Sequence, residues 1–317
     1  MRRGAIQFAW LFAIIVGAAI LFLAFYFIGT HLLSQQMQKE TLQAQYFEAV
    51  LNPLSYLGSI GAVSIMPFEL NEPSWLNVSC EEPSEVTVLG WNEISIKTKE
   101  ERAGLTRKSY DKYLFIDYNH FKEKVRKVNS LTISFEMPWR VADLTMLWPA
   151  EKTYCFVNDS TEIQELQELL QSDLEESEES TKSSELPPIL FKGSYGECPT
   201  KSITVCYSAA DCDIIINEKM KIVEKEEERA VKYAGKALLL AAIFSSPDLY
   251  ECNVKRLAKR LLLQIEVYRN KAERAGMNLD SLKQPIEEIS RGNFNGLNAL
   301  ENVAESLKAQ NKIKNVF

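Results

Sequence analysis

From Gly4 to Thr30 the chain carries no charged residue, and no other feature limits its possible folds so strongly. These 27 residues, GAIQFAWLFAIIVGAAILFLAFYFIGT, would extend ~40 Å as a helix at 1.5 Å per residue. A bilayer core needs only about 20 of them. A soluble helix of that length with no polar face would be most unusual. Trp10 near one end and Tyr26 with Phe27 near the other match the aromatic belts of the two interfaces. The stretch is expected to span a membrane with some tilt, residues 1–30 forming an anchor that meets the lipid bilayer through residues 5–30. Arg2 and Arg3 precede the span, and the next Lys or Arg after it is Lys39. The positive-inside rule then puts the N-terminus in the cytoplasm and the main domain outside. A cleaved secretory signal has an apolar run of about 7–15 residues before a small-residue site. Here the run is longer, and Phe25-Tyr26-Phe27 is a poor place to cut, so a retained single-pass signal anchor in the cell membrane is expected.

The six cysteines, Cys80, Cys155, Cys198, Cys206, Cys212 and Cys252, all follow the anchor. An even count on the outer side points to an oxidising compartment and to disulfides. A metal site would want a CxxC pair or closely spaced His and Cys, and the sequence has neither. Three bridges allow 15 pairings. Cys80 with Cys155 is the expected first pair, because both flank strands of the β-rich part. A net charge of −7 argues against nucleic acid as a partner.

The remaining chain reads as α+β. Residues 31–54 continue the anchor as a helical stalk, with Leu33, Met37, Ala44, Phe47 and Leu51 on one face and Asn52-Pro53 ending it. Residues 55–172 are β-rich, expected as an antiparallel, sandwich-like module. Val86 with Val88 and Ile94 with Ile96 alternate about Gly90, and further strands fall at 113–116, 131–135, 141–148 and 153–157. The tryptophans of this part (Trp75, Trp91, Trp139, Trp148) suit core packing better than a carbohydrate platform. A short helix is expected over 161–171, capped by Asp159. Residues 173–187, rich in Ser and Glu, bury too little surface to order themselves and read as an acidic linker or loop. They lack the spaced Asp/Asn frame of a calcium loop. Residues 188–317 then bring cysteine-containing strands (189–191, 203–207, 214–216) and C-terminal helices. The first of these helices is expected over 219–244, and a second opens at Ser246-Pro247. The second carries a stripe of Val254, Leu257, Leu261, Ile265, Tyr268 and Ala272 and stops at Gly276. Short helices broken near Pro285 and Gly292 close the chain.

Phosphate loops, dinucleotide fingerprints, HExxH and GxSxG are all absent. No catalytic, metal or cofactor-binding residue is therefore assigned. There are two histidines; His31 sits at the membrane edge, and His120, close to Asp117, reads as a structural surface residue. Lys255, Arg256, Lys259 and Arg260 read as the solvated side of an amphipathic helix. Sequons at Asn77 and Asn158 are glycosylation candidates compatible with an outside domain.

Arg3-Gly4-Ala5-Ile6, standing directly before the apolar run, resembles the class III-type signal of archaeal type IV pilin-like precursors. That resemblance implies cleavage between Gly4 and Ala5. It covers about the first 50 residues and departs from the pilin pattern at Ala9, where many pilins carry a glutamate. The segments FEMPWRVADL, TYCFV and SSPDLYECNVKRL are similar to uncharacterised archaeal membrane-anchored extracytoplasmic proteins. The expected function is that of a surface-anchored structural or partner-binding protein, in the pilin-like case binding copies of itself or other surface proteins. The competing expectation is an extracytoplasmic enzyme of the hydrolase class.

Overall fold

The computed structural model describes residues 10–31, 64–98, 106–157, 163–170, 188–192, 198–207 and 212–309, together with Gln38 and Leu42. The expected stalk (Gln38 and Leu42 apart), the acidic stretch 173–187, the Gly4–Ala5 bond and Asn158 lie outside the described residues. Helix α1 (Trp10–His31) is 22 residues long, apolar enough to cross a membrane and in no part buried against the rest of the chain.

Two six-stranded sheets follow. The first contains β1 (Ser64–Glu81), β2 (Trp91–Lys97), β3 (Thr106–Ser109), β4 (Tyr113–Ile116), β5 (Val125–Glu136) and β6 (Arg140–Pro149), in the order β3-β2-β1-β5-β6-β4. Every pairing is antiparallel except β4 with β6. The second contains β7 (Tyr154–Val157), β8 (Ile189–Lys192), β9 (Ile203–Tyr207), β10 (Ile214–Asn217), β11 (Ile222–Lys225) and β12 (Val231–Lys232), in the order β12-β11-β10-β9-β7-β8. Its central pairings are parallel. The class is α+β, with mixed sheets in place of an all-antiparallel module. β7, from before the acidic stretch, pairs only with β8 and β9, from after it.

The helices are α2 (163–170), α3 (Gly235–Ile243), α4 (Pro247–Arg274), α5 (Lys283–Ser290) and α6 (Gly296–Ala309). Helix α4 opens with proline at its first turn and Asp248 beside it, and carries Lys271 and Arg274 in its last turn, each charge suiting the helix dipole. Gly276 stops it with φ +69°. The Gly276 N–H donates to Glu273 O (2.9 Å) and the Met277 N–H to Ala272 O (2.9 Å), a Schellman ending.

Each strand of the first sheet sends alternate residues to opposite sides, and this produces two cores. Leu76 and Val78 of β1, Ile94 and Ile96 of β2, Leu114 and Ile116 of β4, Val128 and Leu147 fill the inner one, capped by Leu249 of α4. Tyr113, Phe115, Leu131, Ile133, Phe135, Leu144, Met146 and Trp148 face the other way. There they pack on the second sheet and the helices.

Two stretches differ from expectation. Val86 and Val88 are not strand residues. The β1–β2 ladder ends at Glu81 opposite Trp91, so both fall in the connection, and Val86 is 91% exposed. Gly90 is required there, since its φ is +60° and a Cβ would lie 2.1 Å from Glu81 O. The helix expected over 219–244 is instead β11, β12 and a nine-residue α3. Pairing of Val223 with Val231 buries both, and this sheet contact overrides the helix propensity of the intervening Glu and Lys.

Candidate functional site

Among the described residues three polar centres stand out, all where α4 or β11 meets the first sheet. The first sheet curls until its edge strand β4 approaches β2. The Leu114 N–H donates to Asn92 Oδ1 (3.1 Å), Leu114 O accepts from Asn253 Nδ2 (2.8 Å) and Ile116 O accepts from the Ser246 N–H (3.0 Å). The free edge of β4 is thus satisfied by α4 and by one β2 side chain. At the centre of this seam lies Arg256, 0% exposed. Its guanidinium donates to Asn92 Oδ1 (2.6 Å), Asn253 Oδ1 (2.8 Å), Tyr110 O (2.9 Å), Leu89 O (3.1 Å) and Lys112 O (3.1 Å). It also stands 4.7 Å from the Tyr113 ring centroid. Burial pulls its pKa down to about 10. The basic cluster is therefore not one solvated face. Arg256 is a core residue, Lys255 pairs with Glu82 (2.7 Å), and Arg260 faces Asp111.

The second centre joins the two sheets. Asp117, at the end of β4, meets Lys225 Nζ of β11 at 2.8 Å, and that ammonium also donates to Ser245 O (2.7 Å). Both side chains are buried. Burial pushes the Asp117 carboxyl up. Lys225, helped by His120 and by the Asn119 N–H, outweighs it and holds the carboxyl below its usual range. His120 Nδ1 lies 3.1 Å from Tyr154 OH, and burial lowers the His120 pKa. Asn119 reaches Glu228 Oε1 (2.9 Å), whose carboxyl burial raises. Each group here is tied to a structural partner, so the arrangement holds the sheets in register.

The third centre is a cleft of about 320 Å³ between β6 and α4, lined by Asp111, Lys112, Arg140 to Asp143, Thr145, Arg260 and Gln264. It lies beside a bulge in β6. Arg140 faces Glu136 and Ala142 faces Phe135, which leaves Val141 as the extra residue. Gln264 Nε2 donates to the displaced Val141 carbonyl (3.4 Å), and Gln264 Oε1 accepts from Trp139 Nε1 (2.9 Å). Arg140 grips Asp143 as a fork, with Nε donating to Oδ1 (3.1 Å) and Nη2 to Oδ2 (2.7 Å).

All six cysteines are paired, as Cys80–Cys252, Cys155–Cys198 and Cys206–Cys212, with Cα separations of 6.1, 6.0 and 6.0 Å. This overturns the expected Cys80–Cys155 bridge. Cys80, next to the last residue of β1, is bridged to Cys252 of α4, whereas Cys155 lies in the other sheet. Only six residues connect the parallel strands β9 and β10, where such crossovers usually take a dozen or more, and Cys206–Cys212 closes that connection. Asn77 is exposed on β1. Trp139 and Trp148 are core residues. Trp75 and Trp91 are half-buried under Lys124 (4.4 Å) and Lys108 (4.0 Å).

Sequence reasoning missed Arg256, the Asp117–Lys225 pair and the cleft. The one available signal was Arg256 itself, which falls at i+3 from Asn253 and one residue before the Leu257 of the apolar stripe. Comparison of the chain with protein-family models, with curated proteins and with solved structures gives no match.

Proposed function

We propose that this chain is a single-pass, membrane-anchored protein whose disulfide-bonded domain lies outside the cytoplasm and works by binding partners rather than by turnover. The observation that carries the reading is the unburied 22-residue apolar helix α1, joined to a part in which all six cysteines are bridged. An apolar helix left bare needs lipid or neighbouring apolar helices around it, and stable disulfides need an oxidising compartment. Arg2 and Arg3 ahead of the span support this orientation. The polar centres favour binding over catalysis, since Asp143 is committed to Arg140 and Asp117 to Lys225.

Protease added to sealed cells is expected to remove the bulk of the chain, whereas complete protection would overturn the orientation. N-terminal mass spectrometry of protein from its native cells separates a lone anchor from a pilin-like subunit. Ala5 as the first residue supports assembly into a filament, where neighbouring copies cover α1. Met1 or Arg2 there sinks the filament route and leaves the anchor.

A further inference from the structure

β4 pairs with β6 only from Leu144 to Leu147, whereas β6 stays paired with β5 back to Arg140. Beside Arg140–Asp143 no described strand occupies the other edge of β6, and the cleft fills that place. Its volume lies at the small end of ligand sites, which run from about 300 to 1,000 Å³. At one end β4 itself blocks the way, so an occupant laid along β6 must stop where Tyr113 begins. Three cations line the walls, Lys112, Arg140 and Arg260, against two carboxylates, Asp111 and Asp143. Arg140 is spent on Asp143. Among the described residues Arg260 pairs with the Asp111 carboxylate only at 4.0 Å, and the Asp111 side chain is 89% exposed. An ion pair so open to water holds its partner weakly.

We propose that the cleft takes the C-terminal end of an extended peptide, its backbone along the open edge of β6 and its terminal carboxylate on Arg260. The proposal rests on reading the chain as a binding protein, and names the chemistry of one partner. A sheet edge supplies main-chain donors and acceptors to an added strand. A guanidinium matches a carboxylate with two parallel bonds. Asp111 is the counter-ion that the incoming carboxylate displaces into solvent. The closed end explains why the occupant is a chain terminus and not a strand running through.

The test uses the full chain in detergent micelles and isothermal titration with a pool of N-acetylated tripeptide acids, then with the same pool as C-terminal amides. The acids are expected to bind about tenfold more tightly than the amides, the scale of a charge-assisted bond. Arg260→Gln should bring the acids down to the affinity of the amides, and Arg260→Lys should recover part of the loss. Asp111→Asn should tighten acid binding by up to about fivefold, because it removes the competitor. Residues 111 and 260 both reach solvent, and a thermal melt of each variant verifies the fold. Equal affinity for acids and amides, no binding of acids at about 1 mM, or insensitivity to both Arg260→Gln and Asp111→Asn overturns the proposal. The protease experiment on cells reads topology alone, so failure here is distinguishable from failure of the anchored reading.

Discussion

Replacing Arg256 by methionine should destabilise the protein by about 5 kcal/mol, a figure that follows from its surroundings. The change removes donors from three backbone carbonyls, those of Leu89, Tyr110 and Lys112, and from the buried Asn253 Oδ1. At about 2 kcal/mol for each of the four acceptors left dry, the loss is about 8 kcal/mol. Asn92 Oδ1 keeps the Leu114 N–H and adds little to that. Against this stands the cost of keeping a guanidinium out of water. A pKa pulled down to about 10 by burial corresponds to about 3 kcal/mol, which methionine recovers while its stem preserves the packing. Arg256→Lys should fall between the two, since it retains the charge with three donors in place of five. Urea unfolding followed by circular dichroism, with disulfides intact, measures each variant. A double-mutant cycle with Asn92→Ala should give a coupling of at least ~1 kcal/mol. If Arg256→Met lies within ~1 kcal/mol of the parent or above it, the guanidinium is a replaceable buried charge, as in some other proteins. The seam would then owe its closure to the apolar contacts of α4.

Peptide mapping without reductant should recover Cys80 with Cys252, Cys155 with Cys198 and Cys206 with Cys212, in a protein six hydrogens lighter than its reduced form; any exchanged pair refutes the connectivity. Acid should weaken the fold in two steps. His120, lowered by burial, takes up its proton first in the unfolded chain, so stability falls as pH drops below about 6.5. Asp117, held low by Lys225, contributes fully above its unfolded value of about 4, and that contribution is lost as pH falls through its lower native value. Unfolding free energies that stay flat from about pH 7 to pH 3 would contradict both. Asp117→Asn should remove the lower step and cost about 3–5 kcal/mol at neutral pH, because Lys225 is then buried without its counter-charge.

The parts legible in the sequence are those written in local periodicity. Leu131, Ile133 and Phe135 alternate and do form a strand, and the stripe from Val254 to Ile265 does lie in the core. Tyr268 of that stripe is only half-buried, packed edge-on near Trp139. Glu and Lys around 219–232 read as helix, because the decisive contact, Val223 beside Val231, depends on a turn and a neighbouring strand. The candidate sites were hidden for a related reason. Asp117 and Lys225 are 108 residues apart, and Arg256 meets acceptors 144 to 167 residues away. Lys255, Lys259 and Arg260 around it made a core arginine look like one more surface charge. The cleft is lined by segments around residues 111, 140–145 and 260–264 that come together only in the fold, and the bulged position beside it leaves no trace in composition.

The Cys80–Cys252 bridge also sets how the domain carries mechanical load. A pull applied from the N-terminal side enters the described fold at Ser64, the first residue of the 18-residue strand β1. Peeling must first strip the ladder to β5 and then, past the irregularity between Glu69 and Ser74, the ladder to β2. At Cys80 it reaches a covalent stop, because that residue is fastened to α4 at a point 172 residues further along the chain. With the bridge intact, the tether can pay out at most about 55 Å, sixteen residue steps at ~3.4 Å, before tension passes directly into α4. Under reducing conditions that limit vanishes, and the same force can go on to unravel β2.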